Sequence, residues 1–338
     1  MKQPWIHKPL TDSVFILGPA FIVTAIAFLF HRELDAIEES YPFYVWLFLI
    51  VFVDVAHVYA TLFKTYLVPS RFRERKRLLV VLPIVSFLVG LVLFSFGSAV
   101  FWSVLAYVAV FHFIRQQYGF MRLYSRQEPK TRLSVFLDSV FIYSAAGYPM
   151  LFWFCSSERR FNWFTEHEFF RFESAALLSV LGWIYAGIVV LYGFRTVYEA
   201  VVARYVNLPK HAIIIGTGIS WYTGIVYFDN DLIFTLLNVV SHGIPYIALV
   251  YLREIDAKPR EMLGGLASLK YLPGLVLYVA ILLMLAFTEE YVWDVMVWND
   301  HFEVAEVDFS SWSVLLVPLL TVPQLTHYLL DGFIWKSR

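Results

Sequence analysis

The sequence predicts an all-α fold: a polytopic integral-membrane bundle of about ten transmembrane helices with both termini cytoplasmic. Three observations predict it. The 338 residues are 59% hydrophobic and only 16% charged, whereas a soluble domain is about a quarter charged. Apolar runs long enough to cross a bilayer, ~20 residues each, recur along the whole chain. Lysine and arginine crowd into alternate connections between those runs. One integral-membrane domain, 1–338, is the simplest organisation, with no internal repeat or low-complexity tract visible.

Taken in order, the spans fall near 13–31, 42–63, 78–96, 98–120, 134–155, 175–194, 211–228, 232–252, 271–287 and 312–334. The N-terminal segment MKQPWIHKPLTD lacks a small-residue cleavage site, so the first span is expected to stay as an anchor. Tight turns are required at Phe96–Ser98 and Phe228–Asp231. The second connection holds Lys64, Arg71, Arg73, Arg75, Lys76 and Arg77, and the fourth Arg122, Arg126, Lys130 and Arg132. The sixth has Arg195, Arg204 and Lys210, and the eighth Arg253, Lys258, Arg260 and Lys270. Lys2 and Lys8 precede the first span, and Lys336 and Arg338 follow the last. The first connection is acidic (Glu33, Asp35, Glu38, Glu39), as is the ninth, from Glu289 to Asp308. The fifth, Ser156–Ser174, is mixed. Basic connections on one side place that side in the cytoplasm and the protein in the inner membrane.

Four spans carry polar groups inside their apolar runs, each at a cost that favours a bundle interior. They are DVAHVYATLF with Asp54 and His57, VFHFIRQQYGF with His112, Arg115, Gln116 and Gln117, NVVSHGIPYIALVYLR with Asn238, Ser241 and His242, and LTHYLLDGFIW with His327 and Asp331. All four spans run from outside to inside. His57 precedes Lys64 by seven residues, His112 precedes Arg122 by ten, His242 precedes Arg253 by eleven and His327 precedes Lys336 by nine. At 1.5 Å per residue, the imidazoles share a slab roughly 10–16 Å from the cytoplasmic helix ends.

A lone intramembrane histidine is more often a packing residue than a ligand; four at one depth point to a site. Asp54 with His57 (i, i+3) and His327 with Asp331 (i, i+4) each share a helix face, as do His112 with Gln116 and Asn238 with His242. His57, His112, His242 and His327 are therefore the candidate metal ligands, with Asp54 and Asp331 as further ligands or as carboxylates orienting an imidazole. Imidazole and carboxylate suit iron, zinc or manganese. The one cysteine, Cys155, excludes a disulfide framework and any multi-cysteine zinc or iron–sulfur site. Arg115 is expected either to neutralise Asp54 or Asp331 or to grip a substrate headgroup, unless its span ends early and it reaches the interface. His211, Gln116, Gln117 and Asn238 stand at the margin of the site, and His7, His31, His167 and His301 lie outside it.

Gly243 and Pro245 beside His242 imply a bent helix with room for a ligand, and Pro323 before His327 does likewise. GTGIS at Gly216–Ser220 has neither a preceding strand nor a lysine, so it reads as close helix packing rather than a phosphate loop. Trp5, Trp46, Trp102, Trp163, Trp312 and Trp335 fall near span ends, as an aromatic belt would. Tyr118–Arg126 reads as an interfacial stretch that meets anionic lipid headgroups. A net charge of -1 gives no reason to expect nucleic acid.

The motifs HF at His112–Phe113, HGIP at His242–Pro245 and VPQLTHYLLD at Val322–Asp331 resemble, in their dispersed intramembrane histidines, the Brp/Blh-type carotenoid dioxygenases. That resemblance covers four short motifs and implies a non-haem iron held by intramembrane histidines and an apolar polyene substrate. The chain departs from the pattern in reading DVAH in place of a histidine–glycine-rich first motif, and in having Gln324 where a histidine would follow Pro323. The clustered histidine boxes of membrane desaturases are absent.

The leading expectation is a non-haem iron (Fe(II)) oxygenase acting on a lipophilic lipid or isoprenoid substrate. A zinc-dependent intramembrane hydrolase would use the same ligands to lower the pKa of bound water. A proton-coupled transporter would use the same His and Asp residues as a relay, with internal repeats expected. A purely structural subunit has no need of four histidines at one depth.

Overall fold

The computed structural model describes residues 3–202, 204–302 and 309–335, and every described regular element is a helix. The charge assignments at Lys2, Lys336, Arg338 and Asp308 lie outside the described residues. Helices α1 (Pro9–Leu29), α3 (Phe43–Phe63), α5 (Lys76–Ser95), α6 (Ser98–Tyr124), α7 (Arg132–Cys155), α8 (Ala175–Val201), α10 (Asp231–Asp256), α11 (Leu272–Trp298) and α12 (Ser310–Ile334) are long and apolar enough to cross a membrane. Among the described residues these nine are the spans, against about ten expected. The remaining expected span forms α9 (Leu208–Trp221), which continues in wider π-type turns to Tyr227. Lys210, His211, Thr217, Ser220 and Thr223 lower its apolarity, and all five are buried. Its polar groups turn inward, whereas Ile215, Ile219 and Tyr222 on another face are exposed. Two short amphipathic helices, α2 (His31–Ser40) and α4 (Pro69–Glu74), lie between spans.

Two tight turns fall where expected. Gly97 between α5 and α6 has φ +114°, a conformation that side chains beyond glycine rarely adopt. Before α10, the Asn230 side chain accepts from the Ile233 N–H (2.7 Å) and donates to Asp35 and Glu38 on α2. The acidic first connection is therefore an organised helix that anchors the start of α10.

The chain divides into two compact units, Met1–Ser40 with Val110–His242 and Tyr41–Ala109 with Gly243–Arg338. In the first, α7 packs on both α8 and α9, and α9 on α1. Its interior is strongly aromatic. The mixed fifth connection folds inward, so that Phe161 stacks on Phe234 (4.4 Å) and Trp163 meets Phe113 (5.0 Å). Trp163 is thus a packing residue, not part of an interfacial belt. Three backbone N–H groups of that connection, at Trp163, Phe164 and Thr165, bond the buried carboxylate of Glu168.

In the second unit, α11 packs on α3 and α12 on α5. Trp46, Val51, Val55, Ala60, Phe63, Tyr246, Val250, Tyr278, Leu282 and Ala286 belong to one core. Gly243 allows a close backbone approach here: a Cβ at this position would lie 2.7 Å from the Val53 carbonyl oxygen and 2.9 Å from Val53 Cγ1. Helix α11 runs further than expected, to Trp298, so Glu289 and Glu290 lie within a span and not in the ninth connection. The Tyr59 hydroxyl donates to Glu289 (2.5 Å), giving that half-buried carboxylate a partner. Near the end of α11, Asp294 accepts the backbone N–H groups of Asp300, His301 and Phe302, and His301 stacks on Trp46 at 4.4 Å.

Candidate metal centre

Each unit contains a buried histidine pair. In the second unit α3 supplies His57 and α12 supplies His327, with ring centroids 4.9 Å apart and planes at 78°. In the first unit α6 supplies His112 and α10 supplies His242, at 5.1 Å and again 78°. All four rings are buried. Edge-on pairing at this spacing brings ring nitrogens near one another: a nitrogen of His112 lies within 4.8 Å of one of His242, and a nitrogen of His327 within 4.8 Å of an Asp331 carboxylate oxygen. Buried histidines and aspartate in such groups could hold a metal ion.

The second unit fixes the orientation of His327 through a chain of hydrogen bonds. The Tyr246 hydroxyl donates to Asp331 Oδ1 (2.7 Å), so its oxygen is left to accept from the Thr61 hydroxyl (3.0 Å). With its proton directed to Tyr246, Thr61 Oγ1 accepts from Nδ1–H of His327 (2.7 Å). Every donor points toward the carboxylate. With Asp331 ionised, this order of donors puts the His327 proton on Nδ1 and directs Nε2 away from Thr61. Trp335 Nε1 also donates to Asp331 (3.3 Å), and Tyr246 packs edge-on against both His57 (5.9 Å) and His327 (5.1 Å). Asp331 thus anchors the imidazole through two intermediates, whereas Asp54 lies directly beside its histidine, 3.7 Å from His57 Nδ1.

In the first unit, the stacked ring of Phe113 seats His242 (3.6 Å, 5°). Pro245 has no N–H, so the Ser241 carbonyl one turn earlier loses its usual helical donor. Gln117 Nε2 supplies a replacement at 3.3 Å, and Gln116 Nε2 bonds the adjacent His242 carbonyl at 2.8 Å. Their amide nitrogens hold the bent helix. Among the described residues, the buried oxygens Gln116 Oε1 and Asn238 Oδ1 have no hydrogen-bond donor. Gln116 is one turn from His112, and Asn238 one turn from His242. Each histidine of this unit is accompanied on its own helix by an oxygen donor compatible with a hard or borderline metal.

Two expected participants occupy different positions. Arg115 is exposed; its guanidinium bonds the Tyr143 hydroxyl and lies 4.8 Å over the Tyr118 ring, so its partners are aromatic, not carboxylates. His211 is buried in a separate charged cluster, with Nδ1 on the Tyr192 hydroxyl and Nε2 3.4 Å from Glu199. Lys210 beside it pairs with Glu128 (3.0 Å), and Arg195 with Asp138 (2.9 Å). Lys64, counted among the basic residues of the second connection, is buried against Glu254 (2.5 Å) and the Trp335 ring. Burial lowers the pKa of its ammonium, while the Glu254 carboxylate opposes that shift.

The sequence reading missed Thr61 and Tyr246. Both were signalled by spacing, since Thr61 follows His57 and Tyr246 follows His242 by one helical turn, but hydroxyls carry no charge and were overlooked as orienting groups. Glu289 was missed because α11 was ended too early. The chain matches no protein-family model, and no curated protein or solved structure matches it either.

Proposed function

We propose that the protein is an integral-membrane metal-dependent enzyme, a non-haem iron oxygenase acting on a lipid or isoprenoid substrate. In this reading the buried histidines, His57 with His327 in one unit and His112 with His242 in the other, supply the metal ligands. The carrying observation is the buried hydrogen-bond chain from His327 through Thr61 and Tyr246 to Asp331, which orients the imidazole. The unpaired amide oxygens of Gln116 and Asn238 add oxygen donors.

When bound, iron would supply oxygen activation, and zinc would supply an acidified water. The chain's own residues orient the imidazoles: Thr61 bonds His327, and the stacked ring of Phe113 seats His242. The resemblance to the carotenoid dioxygenases favours a polyene among lipophilic substrates. Arg115, exposed and held by tyrosines, has no part in this reading.

Metal analysis of the detergent-purified protein tests the proposal. Wild type retains a transition metal near stoichiometry, and His57→Ala/His242→Ala loses it. Iron accompanied by lipid-dependent oxygen consumption supports the oxygenase, whereas zinc without oxygen consumption transfers the proposal to a hydrolase. Equal trace metal in both proteins would overturn it. The same hydrogen-bond chain also suits a proton relay, for which the expected result is proton flux without metal.

A further inference from the structure

We propose that the basic hollow at the start of α5 binds the headgroup of an anionic phospholipid whose acyl chains lie along that helix. The hollow is a cavity of 690 Å³ lined by Arg73, Glu74, Arg75, Lys76, Arg77, Leu78 and Phe333. It forms where the chain breaks between α4 and α5: Arg75 leaves helical geometry at φ -118° and ψ 21°. The break brings cations from both helices around one opening. The Arg75 guanidinium bonds the Phe333 carbonyl (2.8 Å), so the end of α12 forms the opposite wall. Four cationic side chains meet one carboxylate in the lining. An excess of positive charge over a hollow of this size favours a phosphate-bearing ligand.

Positive charge flanking a span is expected from topology alone; what distinguishes this site is the surface that continues from it. Val81, Ile84, Val85, Leu88, Val89 and Val92 are exposed. They recur every three to four residues and form an apolar stripe descending α5 from the basic end. On the opposite face Leu79, Ser86 and Gly90 are buried, with Ser86 bonded to Thr326 and Gly90 against Pro318. The orientation of the helix is therefore set by packing, and the stripe faces lipid. A lipid beside the stripe would place its phosphate at the height of Arg73, Lys76 and Arg77. Free phosphate would use the cations but gain nothing from the stripe.

Native mass spectrometry of the full chain in detergent tests this, with added phosphatidylglycerol, chain-matched phosphatidylcholine, or glycerol phosphate as the chainless probe. Arg73→Gln/Lys76→Gln/Arg77→Gln is compared with Lys130→Gln/Arg132→Gln/Arg260→Gln, which removes equal charge from two other basic connections. Wild type and the second variant bind phosphatidylglycerol in preference to phosphatidylcholine, while the first variant loses about tenfold or more in affinity. If the triple variant fails to fold, Arg77→Gln alone carries the comparison, with a loss of roughly threefold or more expected. Unchanged binding in the hollow variant, or an equal loss in both triple variants, would overturn the proposal. Glycerol phosphate binding as tightly as phosphatidylglycerol would overturn the lipid assignment.

Discussion

The Thr61 hydroxyl lies 2.7 Å from Nδ1 of His327, joining α3 to α12 through two side chains that are both buried. Because Tyr246 occupies the hydroxyl proton of Thr61, the threonine serves His327 only as an acceptor. A residue without charge thereby sets which imidazole nitrogen is available.

Thr61→Ala is expected to lower metal affinity by about 10- to 100-fold, the usual loss when an orienting partner of a ligand is removed. Thr61→Ser keeps the acceptor and restores most of it. Metal content after a graded chelator challenge measures both. Equal retention in Thr61→Ala and wild type would show that His327 is not oriented this way.

Tyr246→Phe interrupts the same chain one link further on. Since Thr61 and Tyr246 act in one network, their effects should not add. The double variant Thr61→Ala/Tyr246→Phe should be no worse than the poorer single variant, with a coupling of roughly 0.5–3 kcal/mol. Asp331→Asn should weaken metal retention while insertion and folding proceed. Strict additivity in the chelator assay would remove the network.

Gln117→Leu leaves the Ser241 carbonyl without its substitute donor and should destabilise the protein by about 1–3 kcal/mol. Pro245→Ala returns a backbone N–H to that carbonyl, so the cost of Gln117→Leu should shrink in the Pro245→Ala background. Thermal unfolding in detergent reads the difference between the two backgrounds.

Gly243→Ala places a methyl group 2.7 Å from the Val53 carbonyl oxygen, a backbone atom that has little freedom to yield. A loss of roughly 1–3 kcal/mol is expected from overpacking, again read by thermal unfolding. Gly332→Ala is the control, because nothing lies within 4 Å of a Cβ there and a glycine-to-alanine change in a helix favours stability.

Helical class, span positions and the candidate histidines were legible in the amino-acid order, because the bilayer permits few backbone solutions and penalises stray polar groups. A histidine inside an apolar run is visible by its cost alone. The same logic misplaced residues whose burial is compensated by a partner distant in sequence. Lys64 is read as a loop cation until Glu254 appears 2.5 Å away, and Glu289 as a loop acid until the Tyr59 hydroxyl is found on it. The expected span at α9 is a helix of lower apolarity, because its polar residues are buried against protein.

Apolar length and charge order determined that this chain crosses a membrane many times and where its buried imidazoles fall, since those depend on transfer free energies summed along one strand of sequence. Tertiary structure alone decided that Thr61 and Tyr246 stand between His327 and Asp331, that Gln117 repairs the helix at Pro245, and that Arg115 faces outward. Hydrogen-bond direction and side-chain exposure depend on how helices distant in sequence are rotated against one another, and no local spacing specifies that rotation.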